Sequence, residues 1–186
     1  MKKITAIALV LTMALSLFAG CGAEKAPETE APTEAPTEAA VSVEGTMEEL
    51  LNKVVEQNPV EFMGGVMPVD VADTSEDGLA NLFCFTGLQT PENITEAAVY
   101  EPMMGSIAFS MVMVRTAEGT DVKAVAEGMK TGIDPRKWIC VEADDVQVVS
   151  FGDVVMLIMV DSTSGLTSQS FVDAFAQVCG GSVTTY

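Results

Sequence analysis

The segment Ser106-Ile107-Ala108-Phe109-Ser110-Met111-Val112-Met113-Val114-Arg115 decides how the rest of the chain is read. Side chains alternate along a strand, so Ile107, Phe109, Met111 and Met113 fall on one face and Ala108, Ser110, Val112 and Val114 on the other. Both sets are apolar or small. That predicts a central strand covered on each side, not a strand with one wet face. Downstream, Asp145 to Phe151 and the apolar run Val154 to Val160, continuing to Asp161, predict two strands joined by a hairpin at Gly152-Asp153. Between these segments Val122, Val125, Ala126 and Met129 recur at helical spacing, predicting a helix capped by Thr120 and ending near Gly132. Phe171, Val172, Phe175 and Val178 predict another helix over Ser168 to Cys179, stopped by Gly180-Gly181. Ser182 to Tyr186 leaves room for an edge strand.

Working upstream, Thr46-Met47-Glu48-Glu49 is a capping box ahead of Met47, Leu50, Leu51 and Val54 at helical spacing, with Asn58-Pro59 as the stop. An acidic turn at Asp73 to Gly78 precedes a predicted short strand over Asn81 to Thr86, and Pro91 to Ile94 starts a short helix or turn. The whole predicts one α+β domain over residues 41–186, an antiparallel sheet packed against helices. Its C-terminal part is ferredoxin-like (βαββαβ) if the last strand pairs.

Residues 1–40 read differently. Lys2-Lys3 precede an apolar stretch from Ile4 to Phe18 that is shorter than the ~20 residues a spanning helix needs, and small residues end it. Leu17-Phe18-Ala19-Gly20-Cys21 resembles a lipobox, with Phe18 where leucine is usual. This implies a signal peptide over residues 1–20 and diacylglyceryl transfer to the Cys21 thiol. The expected location is the outer face of the cell membrane, with two acyl chains giving a stable anchor. Residues 21–40 repeat Ala-Pro-Thr-Glu from Ala31 and from Ala35 without a large apolar side chain after Cys21, which predicts a disordered, extended spacer. Its reach is roughly 50 Å at polyproline spacing. No later segment is long and apolar enough to span a bilayer.

Of 186 residues, 27 are acidic and 9 basic, and removing Lys2 and Lys3 with the leader takes the formal charge from −18 to −20. Six bases (Lys53, Arg115, Lys123, Lys130, Arg136 and Lys137) remain beyond residue 40. That is too few for a phosphate-tracking stripe, which disfavours nucleic acid and anionic headgroups as partners.

The stretch from Asn93 to Asp161 resembles Gram-positive lipoproteins of domain of unknown function family 4358. The resemblance is carried by an acidic helix before Ala98-Val99-Tyr100-Glu101-Pro102-Met103, then by Ile107 to Arg115, by Asp121-Val122 opening a helix, and by Val148 to Ile158 as a hairpin. It implies a surface lipoprotein and transfers no catalytic residue.

The chain contains no histidine, which removes Ser-His-Asp and Cys-His catalysis and histidine metal sites. Asp73, Ser75 and Asp77 stand at positions one, three and five of an EF-hand-like loop, with Gly78 at the sixth. This is the calcium candidate. Its twelfth position is Cys84 rather than glutamate, and a solvated acidic turn is the plainer reading. Glu142 with Asp144-Asp145 is a second acidic group. Cys84, Cys140 and Cys179 lie beside apolar residues and read as buried thiols. Met103-Met104 with Met111 and Met113 has the soft-ligand chemistry of Cu(I), though strand alternation favours core packing for them. Trp138, beside Arg136 and Lys137, reads as core. The expected function is a non-enzymatic binding or interaction module without a cofactor. The alternative is a carboxylate-dependent enzyme acting on a cell-wall or sugar substrate.

Overall fold

The computed structural model describes residues 41–186, so the leader, Cys21 and the spacer lie outside the described residues. Along the chain come α1 (Met47–Gln57), β1 (Gly64–Val69), α2 (Glu76–Thr86), β2 (Ile94–Pro102), β3 (Phe109–Thr116), α3 (Val122–Gly132), β4 (Asp145–Phe151), β5 (Val154–Val160), a 3-10 turn (Ser162–Ser164), α4 (Ser168–Cys179) and β6 (Thr184–Thr185). The strands form one sheet in the order β1-β2-β3-β5-β4-β6, every neighbouring pair antiparallel.

All seven residues of β5 are buried, because β3 and β4 flank it and helices cover both of its faces. Met156, Ile158 and Val160 join Met111 and Met113 of β3 under α1 and α4, where Leu50, Leu51, Phe171 and Phe175 fill the layer. Val155, Leu157 and Met159 join Val112 and Val114 under α2 and α3, against Leu82, Val125, Ala126 and Met129. The architecture is α+β, three layers deep. Each of these buried side chains other than Ala126 stabilises the fold by about 1.5–3 kcal/mol over its exposed form.

Several ends are set as the sequence predicts. Thr46 Oγ1 accepts from the Glu49 amide at 3.2 Å while Glu49 Oε2 accepts from the Thr46 amide at 3.1 Å. Glu96 adds a carboxylate at the same helix start, 2.8 Å from the Met47 amide, where the helix dipole favours negative charge. Gly180, with φ of 75°, stops α4.

Four expectations are corrected. Residues 81–86 lie in α2 and are not a strand: Ser75 caps the helix through Gly78, and Leu82, Phe85 and Thr86 recur at helical spacing on its inner side. The acidic segment before Ala98 is strand β2, not a helix, because Ala97 and Val99 face one layer while Ala98 and Tyr100 face the other. The cap of α3 is Asp121, whose carboxylate accepts from Lys123 and Ala124, and not Thr120. The last strand does pair, but with β4 rather than β3. A ferredoxin-like order would put that strand beside β3; β2 holds that position across six paired residues. The β3-α3-β4 unit, with β5 between its strands, is the part of the expected pattern that forms.

Helices α2 and α3 meet at two glycines. Gly87 ends α2 at φ of 76°, and a Cβ built on Gly132 would stand 2.0 Å from the Gly87 carbonyl oxygen. Gly132→Ala is expected to lower stability by about 1–3 kcal/mol through this backbone clash, read as a shift in the urea midpoint. An unshifted midpoint would remove the close contact from the account.

Candidate functional site at the corner of β1 and β2

The methionines of the described residues divide into two classes. Met47, Met111, Met113, Met129, Met156 and Met159 are completely buried, whereas Met63, Met67, Met103 and Met104 are exposed and all lie on or beside β1 and β2. Register explains the grouping. Gly64 pairs with Pro102, and one residue further the Met103 amide donates to the Met63 carbonyl at 2.9 Å, so the two methionines are cross-strand neighbours. Their Cβ atoms are then roughly 4.5–5.5 Å apart. Met104 follows in the turn closed by the Ile107 amide on its carbonyl. Strand alternation puts Met63, Gly65 and Met67 on one face with Val99, Glu101 and Met103. A Cβ on Gly65 would meet nothing within 4 Å, which leaves a notch in this face between Met63 and Met67.

Beside the notch sits a buried polar cluster. The segment between α3 and β4 is closed by the Ala143 amide on the Pro135 carbonyl at 2.9 Å, and it carries Lys137 inward. Lys137 Nζ donates to Glu101 Oε1 at 2.7 Å and to Ser110 Oγ at 2.9 Å. The two charged side chains are 8% and 13% exposed, so the pair is largely shielded from water. Phe85 and Trp138 place their rings 4.9 and 5.3 Å from the ammonium. Two residues past Lys137, Ile139 is 99% exposed. Chemically the cluster is a clasp. Lys137 donates to Ser110, and Ser110 is wholly buried. The sequence signals for it were slight: one serine in an apolar strand and one lysine beside a tryptophan.

The sequence-predicted residues are mostly dispersed. Asp73 accepts from the Ser75 amide at 2.9 Å, and bonds from the Ser75 hydroxyl and amide hold its carboxyl below the usual range. Ser75 caps α2, and Asp77 lies in that helix's first turn. The twelve-residue calcium loop is therefore not formed: the backbone turns helical at Glu76, and Cys84 is on the same helix. Among the described residues no three cysteine or acidic side chains converge as a metal-ligating group. Asp144 accepts from the amide and hydroxyl of Ser162, which hold its carboxyl low, while Asp145 accepts from those of Ser168 and Glu142 pairs with Arg136. These acids serve separate partners and do not face one another. Met111 and Met113 are core as expected, but Met103 and Met104 are not. Trp138 packs partly buried against the core layer under α2 and α3. Cys84 and Cys140 are exposed, contrary to expectation, because Cys84 lies on the outer side of a helix and Cys140 follows Ile139 out of the clasp; Cys179 is half-buried, and all three are free.

Compared with known protein families, curated proteins and solved structures, the chain finds no match in any of the three.

Two measurements test this geometry. Glu101→Leu strands the Lys137 ammonium and is expected to destabilise the protein by about 3–5 kcal/mol in urea unfolding. Adding Lys137→Met should recover much of that loss, and equal stability of the single and double variants would contradict the clasp. In timed alkylation at pH 8, Cys84 and Cys140 should react first. Cys179 should lag because burial pushes its thiol up to about 11, leaving little thiolate. Equal rates at the three positions would disprove this ordering.

Proposed function

We propose that this protein is a lipid-anchored, non-enzymatic binding module on the outer face of the cell membrane, tethered through Cys21 and presenting the corner of β1 and β2 to its partner. The observation that carries the reading is the segregation of exposed methionines to that corner while every other described methionine is buried. Flexible, polarizable thioethers suit adaptable binding surfaces, and a large exposed apolar group on a charged protein marks a contact site. The tether rests on the lipobox-like Ala19-Gly20-Cys21 and the proline-rich spacer behind it. The resemblance to family 4358 belongs to the same proposal and brings no activity with it.

The entry point of the described chain supports this orientation. The Val41 carbonyl accepts from the Asp153 amide, and the Val43 amide donates to the Asp153 carboxylate at 2.8 Å. Arg115 donates to the carbonyls of Val43 and Gly45 and pairs with Asp153 at 2.7 Å and with Glu96 at 3.5 Å. Glu96 lies near the start of β2 and Met103 just past its end, so the chain enters at the end of β2 away from the methionines.

The test uses membranes of cells producing the full chain. A photo-crosslinking residue at position 67 should yield a discrete adduct, while the same residue at the exposed Glu118 should not. Mass spectrometry should find a diacylglyceryl thioether on Cys21. Indistinguishable crosslinking at both positions would end the corner's role, and an unmodified Cys21 still preceded by the first twenty residues would end the tether.

A further inference from the structure

We propose that the thioethers of Met63, Met103 and Met104 together bind one soft monovalent cation, Cu(I). The inference rests on the reading of this corner as a binding site and names the ligand class it takes. Three observations lead to it. Pairing of β1 with β2 sets Met63 directly across from Met103, the backbones joined at 2.9 Å, and Met104 is the next residue. The backbone under all three is held, by the strand pair and by the Ile107 bond to the Met104 carbonyl, while their side chains are 76%, 71% and 59% exposed. Donor atoms on a fixed frame with free side chains can close on an ion at little cost in backbone order. Finally, the exposed large apolar residues on or beside β1 and β2 are all methionines; among the described residues the exposed Val41, Phe83 and Ile139 lie elsewhere. Beyond adaptable apolar contact, a thioether offers a sulfur lone pair that leucine and valine lack.

Sulfur donors of this softness select Cu(I) over the hard cations that take oxygen ligands. The surroundings agree with a singly charged guest. Glu101, the carboxylate on the same strand face, is already engaged by Lys137. The Gly65 notch leaves open space beside Met63. Met111 and Met113 take no part, since both point into the core under α1 and α4.

Thiols outcompete thioethers for this ion, so the experiment uses the purified full chain with its cysteines alkylated under denaturing conditions and refolded, the blocking confirmed by mass spectrometry. Ag(I), a redox-stable surrogate, is titrated in chloride-free buffer, and Cu(I) anaerobically against a colorimetric chelator. One equivalent should bind the blocked wild type, and the Met63→Leu/Met103→Leu/Met104→Leu variant should bind at least tenfold more weakly. Because a triple variant risks misfolding, methionine ¹³C-methyl NMR of the wild type is the second readout, in which three methyl signals should move together with Ag(I). Equal binding by wild type and variant, or methyl signals unmoved at one equivalent and beyond, overturns the inference. A crosslink from position 67 that persists while no metal binds removes the metal alone; bound metal without any crosslink removes the partner surface instead.

Discussion

Burial of β5 on all four sides is the constraint on which the rest of this structure depends. Its backbone is hydrogen-bonded by β3 and β4, and its two faces are closed by different helix pairs. A strand with that environment must be apolar at every position, and Val154 to Val160 is. The same demand reaches β3, whose buried positions serve both layers, and it requires two helices on each face of the sheet. Layers of this kind are built by many chains with unrelated functions, so the architecture supports a site without naming its chemistry.

Polar groups inside such a core must be satisfied, and their arrangement orders the peripheral segments. Ser110 interrupts the apolar face of β3, and Lys137 reaches it from the segment before β4 while pairing with Glu101 of β2. The ammonium thereby joins β2, β3, α2 through Phe85, and its own segment. Removing charges from water is expensive, and two hydrogen bonds with two aromatic faces offset that cost. Arg115 does comparable work at the other end of β2, where it gathers the first described residues against Asp153 and Glu96. Between these two charged anchors the β2 strand is bordered on its outer side by β1, and the last turn of that pairing leaves Met63 and Met103 in solvent.

The segments misread from the sequence share a physical cause. Asn81 to Thr86 has strand-like composition in Phe83 and Phe85, yet its fate is decided three residues before Gly78, where Ser75 caps a helix and Leu82 finds a layer to enter. The β2 segment carries alanine and glutamate, residues that favour helices. It becomes a strand because β3 offers a continuous hydrogen-bonding edge and because its small alanines fit under both helix layers. The β2 outcome is settled by what the segment packs against, and the α2 outcome combines the local Ser75 cap with a layer for Leu82 to enter. The exposure of Cys84 and Cys140 follows from those placements.

What this sequence determined by itself is the part of the fold written in strict periodicity: the two-faced strands β3 and β5, the β4–β5 hairpin with glycine at its turn, the capping box of α1 and the glycine stop of α4. In these segments the pattern and the local backbone preference agree, so no distant partner is needed to read them. Tertiary structure alone decided strand order, the identity of β2, the Glu101–Lys137–Ser110 cluster and the pairing of Met63 with Met103. Each of these joins residues far apart in the chain, and only a register between strands, fixed by which side chains can be buried together, brings them to one place.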